Sequence, residues 1–185
     1  MKKILKRKSD NTLNKKIFIA GSGGQGILFL GKSLYLAAVL KGYNATYFPS
    51  YGAEVRGGAA KCIVIISNNK IASPVIKTPD TAIILNKLSF SKYSEFIKNC
   101  KNIFMLNNDS NEINNRKNSK KLILFSCKNG CIENIKAAGI FCAHSKLFNK
   151  NEYLKALKIM LSKKDASVFE KNKKIFLEAY ENFKL

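Results

Sequence analysis

The feature that most constrains this chain is a six-residue turn, Gly21-Ser22-Gly23-Gly24-Gln25-Gly26, set between two apolar runs. Before it stands KKIFIA, Lys15–Ala20, short and apolar, which predicts a buried strand. After it comes ILFLGKSLYLAAVLKGY, with Leu28, Leu34, Ala38 and Leu40 at helix-compatible spacings and Gly42 as a stop. Strand, glycine turn and helix in that order open a parallel α/β sheet. Glycines there permit a tight turn and let backbone amides approach an anion at the positive end of a helix.

The rest of the chain keeps this alternation. Strands are expected at Asn44–Phe48, ended by Pro49-Ser50-Tyr51-Gly52, then at Lys61–Ser67, Thr81–Asn86, Asn102–Leu106 and Leu122–Ser126. Asn68-Asn69 signals a turn, with Lys70–Ser73 as the second arm of a hairpin. Helices are expected at Leu88–Lys101, Asn151–Ser162 and Lys164–Phe183, with a short one at Asn134–Ala138. Asn107–Lys121 holds six Asn and reads as a loop or insertion. The fold class is therefore α/β: one Rossmann-like, three-layer domain over residues 15–185, with a mostly parallel, partly mixed sheet. A basic flexible tail over residues 1–14 precedes it. The N-terminus has no apolar stretch of signal-peptide length, and nothing resembles a membrane span.

Charge and cysteines narrow the function less than they first suggest. The net charge is +21, which would normally point to nucleic acid or an anionic surface. Yet the 30 Lys are scattered, stand against 3 Arg, and accompany 20 Asn, so the surplus reads as a compositional habit. Phe18, Phe29, Phe104 and Phe125 lie in apolar runs rather than on an exposed stacking face. The cysteines are Cys62, Cys100, Cys127, Cys131 and Cys142, with His144 the single histidine. They offer one loose CxxxC pair instead of the four ligands a zinc or iron–sulfur site wants, so scattered reduced thiols in a reducing cytoplasm are expected.

The glycine turn admits three readings. A dinucleotide site wants a carboxylate at the end of the second strand, where this chain has Tyr47-Phe48-Pro49-Ser50. A phosphate loop over Gly26–Ser33 would place Ile27-Leu28-Phe29-Leu30, all large and apolar, where amides must face phosphate. A mere tight turn with close helix–strand packing is the simplest alternative. The segment SYGAEVRGGAA adds a further element, with Tyr51, Gly52, Glu54, Arg56, Gly57 and Gly58 within eight residues. Arginine in a chain that otherwise uses lysine suggests a planar, bidentate contact to a carboxylate, phosphate or backbone carbonyl. A local Glu54–Arg56 salt bridge at the start of a hairpin is the plainer reading. Turns after the first and second strands of a parallel sheet share its C-terminal edge, so the two segments are expected to face one crevice.

GSGGQGILFLGKSL, then SYGAEVRGGAAKCIVIISNNKIASPVIKTPD, then TAIILN with SFSKY resemble the gamma subunit of 2-oxoacid:ferredoxin oxidoreductases, over about residues 15–106. The 2-oxoglutarate and 2-ketoisovalerate branch is the nearer one, with pyruvate enzymes in the same type. Indolepyruvate-type enzymes are more distant, because the residues before Arg56 differ from Ala53-Glu54-Val55. The resemblance implies a complex that decarboxylates a 2-oxoacid, 2-oxoglutarate first, on thiamine diphosphate with magnesium. Electrons pass through iron–sulfur clusters to ferredoxin, and an acyl-CoA leaves. It places the thiamine diphosphate, magnesium and clusters on alpha and beta subunits, with delta as a further partner. This chain receives a structural and coenzyme A access role and no activity alone. Nucleic acid and membrane are not among the implied partners. Carried over residue by residue, Gly21, Gly23, Gly24, Gln25 and Gly26 form the first loop. Tyr51, Gly52, Glu54, Arg56, Gly57 and Gly58 form the second. Residues 107–121 and Ala137–Phe148 depart from the family's pattern. A free-standing nucleotide-binding enzyme and a basic nucleic-acid-binding α/β protein remain the alternatives.

Overall fold

The run before the glycine turn forms β1 (Asn14–Ser22), and its alternation sets the layers: Ile17 and Ile19 enter one core, Phe18 and Ala20 the other. None of the four is more than 1% exposed, so β1 is covered on both faces as a central strand must be. The computed structural model describes residues 12–51, 59–108, 122–128 and 130–183. After β1 come α1 (Ile27–Leu40), β2 (Asn44–Tyr51), β3 (Ala59–Ser67) and β4 (Thr81–Ile84). Then follow α2 (Lys87–Lys92), α3 (Ser94–Ile97), β5 (Asn102–Leu106), β6 (Leu122–Phe125), α4 (Glu133–Ser145), α5 (Lys150–Met160) and α6 (Ala166–Glu181).

The six strands form one sheet in the order β2-β3-β1-β4-β5-β6. β1, β4, β5 and β6 are parallel, and β3 runs antiparallel to both β1 and β2. The mixed α/β sheet expected from the sequence is therefore present, but a different pairing makes it mixed. Residues 70–73 form no strand, and β3 finds its antiparallel partners in β1 and β2 instead.

One face carries α1, α4, α5 and α6 over a large core that holds Leu30, Leu34, Phe104, Phe148, Tyr153 and Phe176. The other carries α2 and α3 over a smaller one around Phe18, Ile84 and Ile97. Phe18, Phe104 and Phe125 are buried and Phe29 half-buried, which removes them as an exposed stacking platform.

Four local expectations change. The second strand continues through Pro49 to Tyr51, because β2 lies at the sheet edge, where a missing N–H breaks no ladder bond on the open side. The helix expected over 88–101 is two short helices interrupted at Tyr93, whose ψ is 15°. The break lets Tyr93 and Phe96 both meet Phe18 edge-on, at 5.1 and 5.0 Å between ring centroids. The short helix expected at 134–138 is instead the 13-residue α4. Its small residues admit α6 closely, and a Cβ on Gly139 would sit 2.6 Å from the Phe176 carbonyl oxygen. Finally, β1 begins at Asn14, and the Leu13 carbonyl accepts a 3.2 Å bond from the Asn68 amide. Residues 1–11 of the expected tail, and 109–121 of the expected loop, lie outside the described residues.

Candidate functional site

After β1 the chain crosses to one face of the sheet as α1, and after β4 to the other as α2. The C-terminal edge between these neighbouring parallel strands is thus a topological switch point, where open α/β sheets form crevices. The glycine turn sits there. Its tip, Gly23 and Gly24, is exposed and carries no side chain, so another backbone or a ligand can come close.

The Gln25 side chain turns inward and fills the crevice. Its Oε1 accepts from the Ser22 amide at 2.8 Å and from Asn86 Nδ2 at 2.7 Å. Its Nε2 donates to the Leu85 carbonyl at 2.8 Å and to Glu133 Oε2 at 2.7 Å. A primary amide has two donors and two acceptor lone pairs, and all four are used. Gln25 therefore joins the end of β1, the end of β4 and the first turn of α4.

Its neighbours are held as firmly. Asn86 also donates to Ser22 Oγ and caps α2 by accepting from the Ser89 amide at 2.7 Å. Asn134 donates to the Gly26 carbonyl at 3.1 Å. Gly26 is the N-cap of α1 at φ 71°, and a Cβ there would collide with the Asn134 amide, so conformation and space both require glycine. Gly21, buried beneath the turn, leaves room for Ile27 and the Gln25 amide.

A turn fastened in this way is a clasp. An incoming pyrophosphate would meet the Glu133 carboxylate and a crevice already filled by Gln25, which weakens the free-standing dinucleotide reading on physical grounds. A cavity of about 520 Å³ opens beside the clasp, lined by Gly24, Gly26, Phe29, Cys131, Glu133 and Asn134 among others.

The second expected segment is reached through its flanks. The register pairs Ser22 with Ala59 and Tyr51 with Ala60, so the turn after β1 and both ends of the 52–58 connection leave the same sheet edge. β1 and β2 share a direction because each is antiparallel to β3, and that parallelism is what the sequence argument required. Tyr51 closes β2, whereas Gly52, Glu54, Arg56, Gly57 and Gly58 lie outside the described residues. Sequence reading missed Asn86, Glu133 and Asn134. Asn86 has the local signature of a helix cap after a strand, but nothing local marks residues 133 and 134 as partners of residues 25 and 26.

The cysteines need one correction. Cys62, Cys100 and Cys142 are buried thiols outside any disulfide, but Cys127 and Cys131 form a disulfide with Cα atoms 5.6 Å apart. Cys62 packs its sulfur against Gly31, and burial pushes its thiol up to about 12, so it is a core residue and not a nucleophile. Among the described residues no three His, Cys, Asp or Glu side chains converge to hold a metal. Nor is any helix among them long and apolar enough to cross a membrane.

Fold and edge together define an open, mixed α/β domain whose glycine turn is fastened from within at the switch point of its sheet. Residues 16–182 match the family profile described as pyruvate ferredoxin/flavodoxin oxidoreductase, and the chain belongs to that family. It is 40% identical over 80 residues to ketoisovalerate oxidoreductase subunit VorA of Methanothermobacter thermautotrophicus, covering 43% of this chain and 17% of that one. It is 40% identical over 87 residues to 2-oxoglutarate synthase subunit KorC of Methanocaldococcus jannaschii, covering 46% of each. The chain thus spans less than half the length of either relative.

Among solved structures, the gamma subunit of a keto/oxoacid ferredoxin oxidoreductase from Geobacter sulfurreducens superposes with a TM-score of 0.69 at 26% identity. That match covers 91% of this chain and 95% of that one. The 2-oxoglutarate:ferredoxin oxidoreductase of Magnetococcus marinus, solved with 2-oxoglutarate, coenzyme A and succinyl-CoA, shares the fold with a TM-score of 0.71 at 19% identity. There 92% of this chain corresponds to 32% of the other.

Proposed function

We propose that this chain is the gamma subunit of a 2-oxoacid:ferredoxin oxidoreductase, a cytoplasmic complex that converts a 2-oxoacid, 2-oxoglutarate first, to its acyl-CoA. The observation that carries the reading is the match to a gamma subunit over 91% of this chain and 95% of that one. The internal fastening of the glycine turn agrees with a structural module better than with a nucleotide enzyme. The described residues do not fit an iron–sulfur cluster, since the thiol cysteines are separately buried and the remaining pair is oxidised. On this reading, as the family resemblance implies, thiamine diphosphate, magnesium and the clusters belong to alpha, beta and delta partners, with ferredoxin reached through the complex. Coenzyme A would approach the edge that carries residues 21–26 and the 51–58 segment.

Exposed apolar side chains support an assembly role. Phe48 on the edge strand is 44% exposed and Leu88 at the start of α2 is 81% exposed. Co-expression with candidate alpha and beta chains should yield one complex in sedimentation that reduces viologen only when a 2-oxoacid and coenzyme A are both supplied. A chain that sediments alone in the presence of those partners would overturn the assignment.

A further inference from the structure

We propose that Cys127–Cys131 is a thiol–disulfide exchange site whose oxidation state sets how firmly the glycine turn is held. Two features place the bond where it matters. First, α4 begins with Ile132 as its N-cap, a residue that cannot accept a capping bond, and its first turn has no side-chain cap. Cys131 stands immediately before that cap. Its sulfur is bonded to Cys127, whose amide is anchored by Asn108 Oδ1 at 2.8 Å beyond the end of β5. The covalent link therefore takes the place of the missing cap and fixes where α4 starts.

Second, the next two residues are the ones that grip the turn. Glu133 accepts from Gln25 and Asn134 donates to the Gly26 carbonyl. Releasing the disulfide leaves this uncapped first turn free to fray, and both grips loosen together. The bond is also reachable. Both cysteines are half-buried, and Cys131 lines the cavity of about 520 Å³ at the turn and another of about 690 Å³ toward α6.

The reductant class is a small dithiol. One of its thiolates attacks Cys131 Sγ, the Sγ–Sγ bond breaks, and Cys127 leaves as a thiolate that takes a proton from water. The second thiolate of the reductant then displaces Cys131 and closes its own disulfide, so two electrons and two protons pass to the cysteine pair. Where the compartment is reducing such a bond is transient, and the oxidised form of the same small dithiol re-forms it by the reverse exchange, taking back the two electrons and two protons. The inference does not depend on the subunit assignment.

The test is made on the full chain, purified in air and then treated with dithiothreitol. Iodoacetamide labelling after denaturation should modify only Cys62, Cys100 and Cys142 without reductant, and all five cysteines with it. Hydrogen exchange at the amides of Ser22 and Gln25 and of residues 135–136 should rise on reduction by roughly tenfold, with β3 and β4 unchanged. A double variant, Cys127→Ser with Cys131→Ser, should show the faster exchange with or without reductant. Free Cys127 and Cys131 in the air-purified chain, or a turn whose exchange ignores reduction, would overturn the proposal. Because the wild-type chain supplies both states, poor folding of the double variant would leave the test intact.

Discussion

Arg56 is the residue on which the assembly reading bears most directly. Its guanidinium is a planar fork that lysine cannot reproduce, and the connection that carries it leaves the same edge as the glycine turn. Breaking one partner of a buried, charge-assisted contact costs about 2–5 kcal/mol. Arg56→Lys should therefore lower coenzyme A-dependent turnover or assembly by more than roughly tenfold while the isolated chain stays folded. Unchanged assembly, turnover and KM for coenzyme A would make Arg56 an ordinary surface residue. His144 poses a different question at the same scale. It packs edge-on to Phe104 and Phe183, with ring centroids 5.2 and 6.0 Å away, and burial holds its pKa below the usual 6.5. A depressed histidine binds its proton more weakly in the folded state than in the unfolded one. Stability is thus whole above about pH 6.5 and declines as pH falls from there toward the folded pKa. His144→Phe should remove that part of the decline, read as a smaller drop in Tm between about pH 7.5 and 5 than in the wild type. An identical drop in both proteins would count against it.

The helices on the larger face are held by particular contacts more than by amphipathicity alone. Tyr153 on α5 stacks on Phe176 of α6 with centroids 4.5 Å apart, and its hydroxyl lies 2.8 Å from Ser33 Oγ on α1. Ser33 itself donates to the Leu30 carbonyl, so the phenol is the donor to Ser33. Burial pushes the Tyr153 hydroxyl pKa far up, and it stays protonated and needs its acceptor. The two ends of this bond should differ in cost. Ser33→Ala strands a buried phenol and should destabilise by about 1–3 kcal/mol. Tyr153→Phe leaves Ser33 still bonded to Leu30 and keeps the ring stack, so it should cost about 1 kcal/mol or less. Urea unfolding of the two variants decides this, and a larger loss for Tyr153→Phe would refute the donor assignment. At this same N-terminal end of α5 a capping box joins Asn149 and Glu152, and Lys41, the C-cap of α1, reaches the same carboxylate at 2.9 Å. Burial raises the Glu152 pKa, but the Asn149 amide and the Lys41 ammonium outweigh it and hold it below the usual value.

For the molecule as a whole, the unequal covering of the sheet faces is the fact that bears on function. Four helices shield one face, whereas only the short α2 and α3 cover the other, over a smaller core centred on β1, β4 and β5, and Phe48 stands exposed beyond them. A domain that leaves Phe48 exposed beside a thinly covered sheet face offers a surface for the partner chains of the proposed complex. The purified chain alone should accordingly show no viologen reduction with any 2-oxoacid and coenzyme A. Measurable turnover by the isolated chain would transfer the chemistry to it and undo the division of labour proposed above.

The chain's own order of residues determined the parts that depend on local pattern. β1, the glycine turn, α1, β3 and β5 follow from short apolar runs and from a glycine-rich turn, because apolar patterning and the φ that glycine permits at Gly24 and Gly26 are written into the segment itself. The membership of the family was legible for the same reason, since its motifs lie along one continuous stretch. What the sequence could not settle depends on who the neighbour is. Pro49 ends a strand in isolation, yet it is tolerated once β2 takes the edge. The helix expected over 88–101 is interrupted at Tyr93, where that ring meets Phe18 of β1 edge-on. Gln25, one loop residue among five in the sequence, acts as a clasp because α4, 108 residues later, brings Glu133 to its amide. That partner is invisible to any window on the chain: only the packing of α4 against the sheet edge brings it near, and a hydrogen bond needs both atoms within about 3 Å.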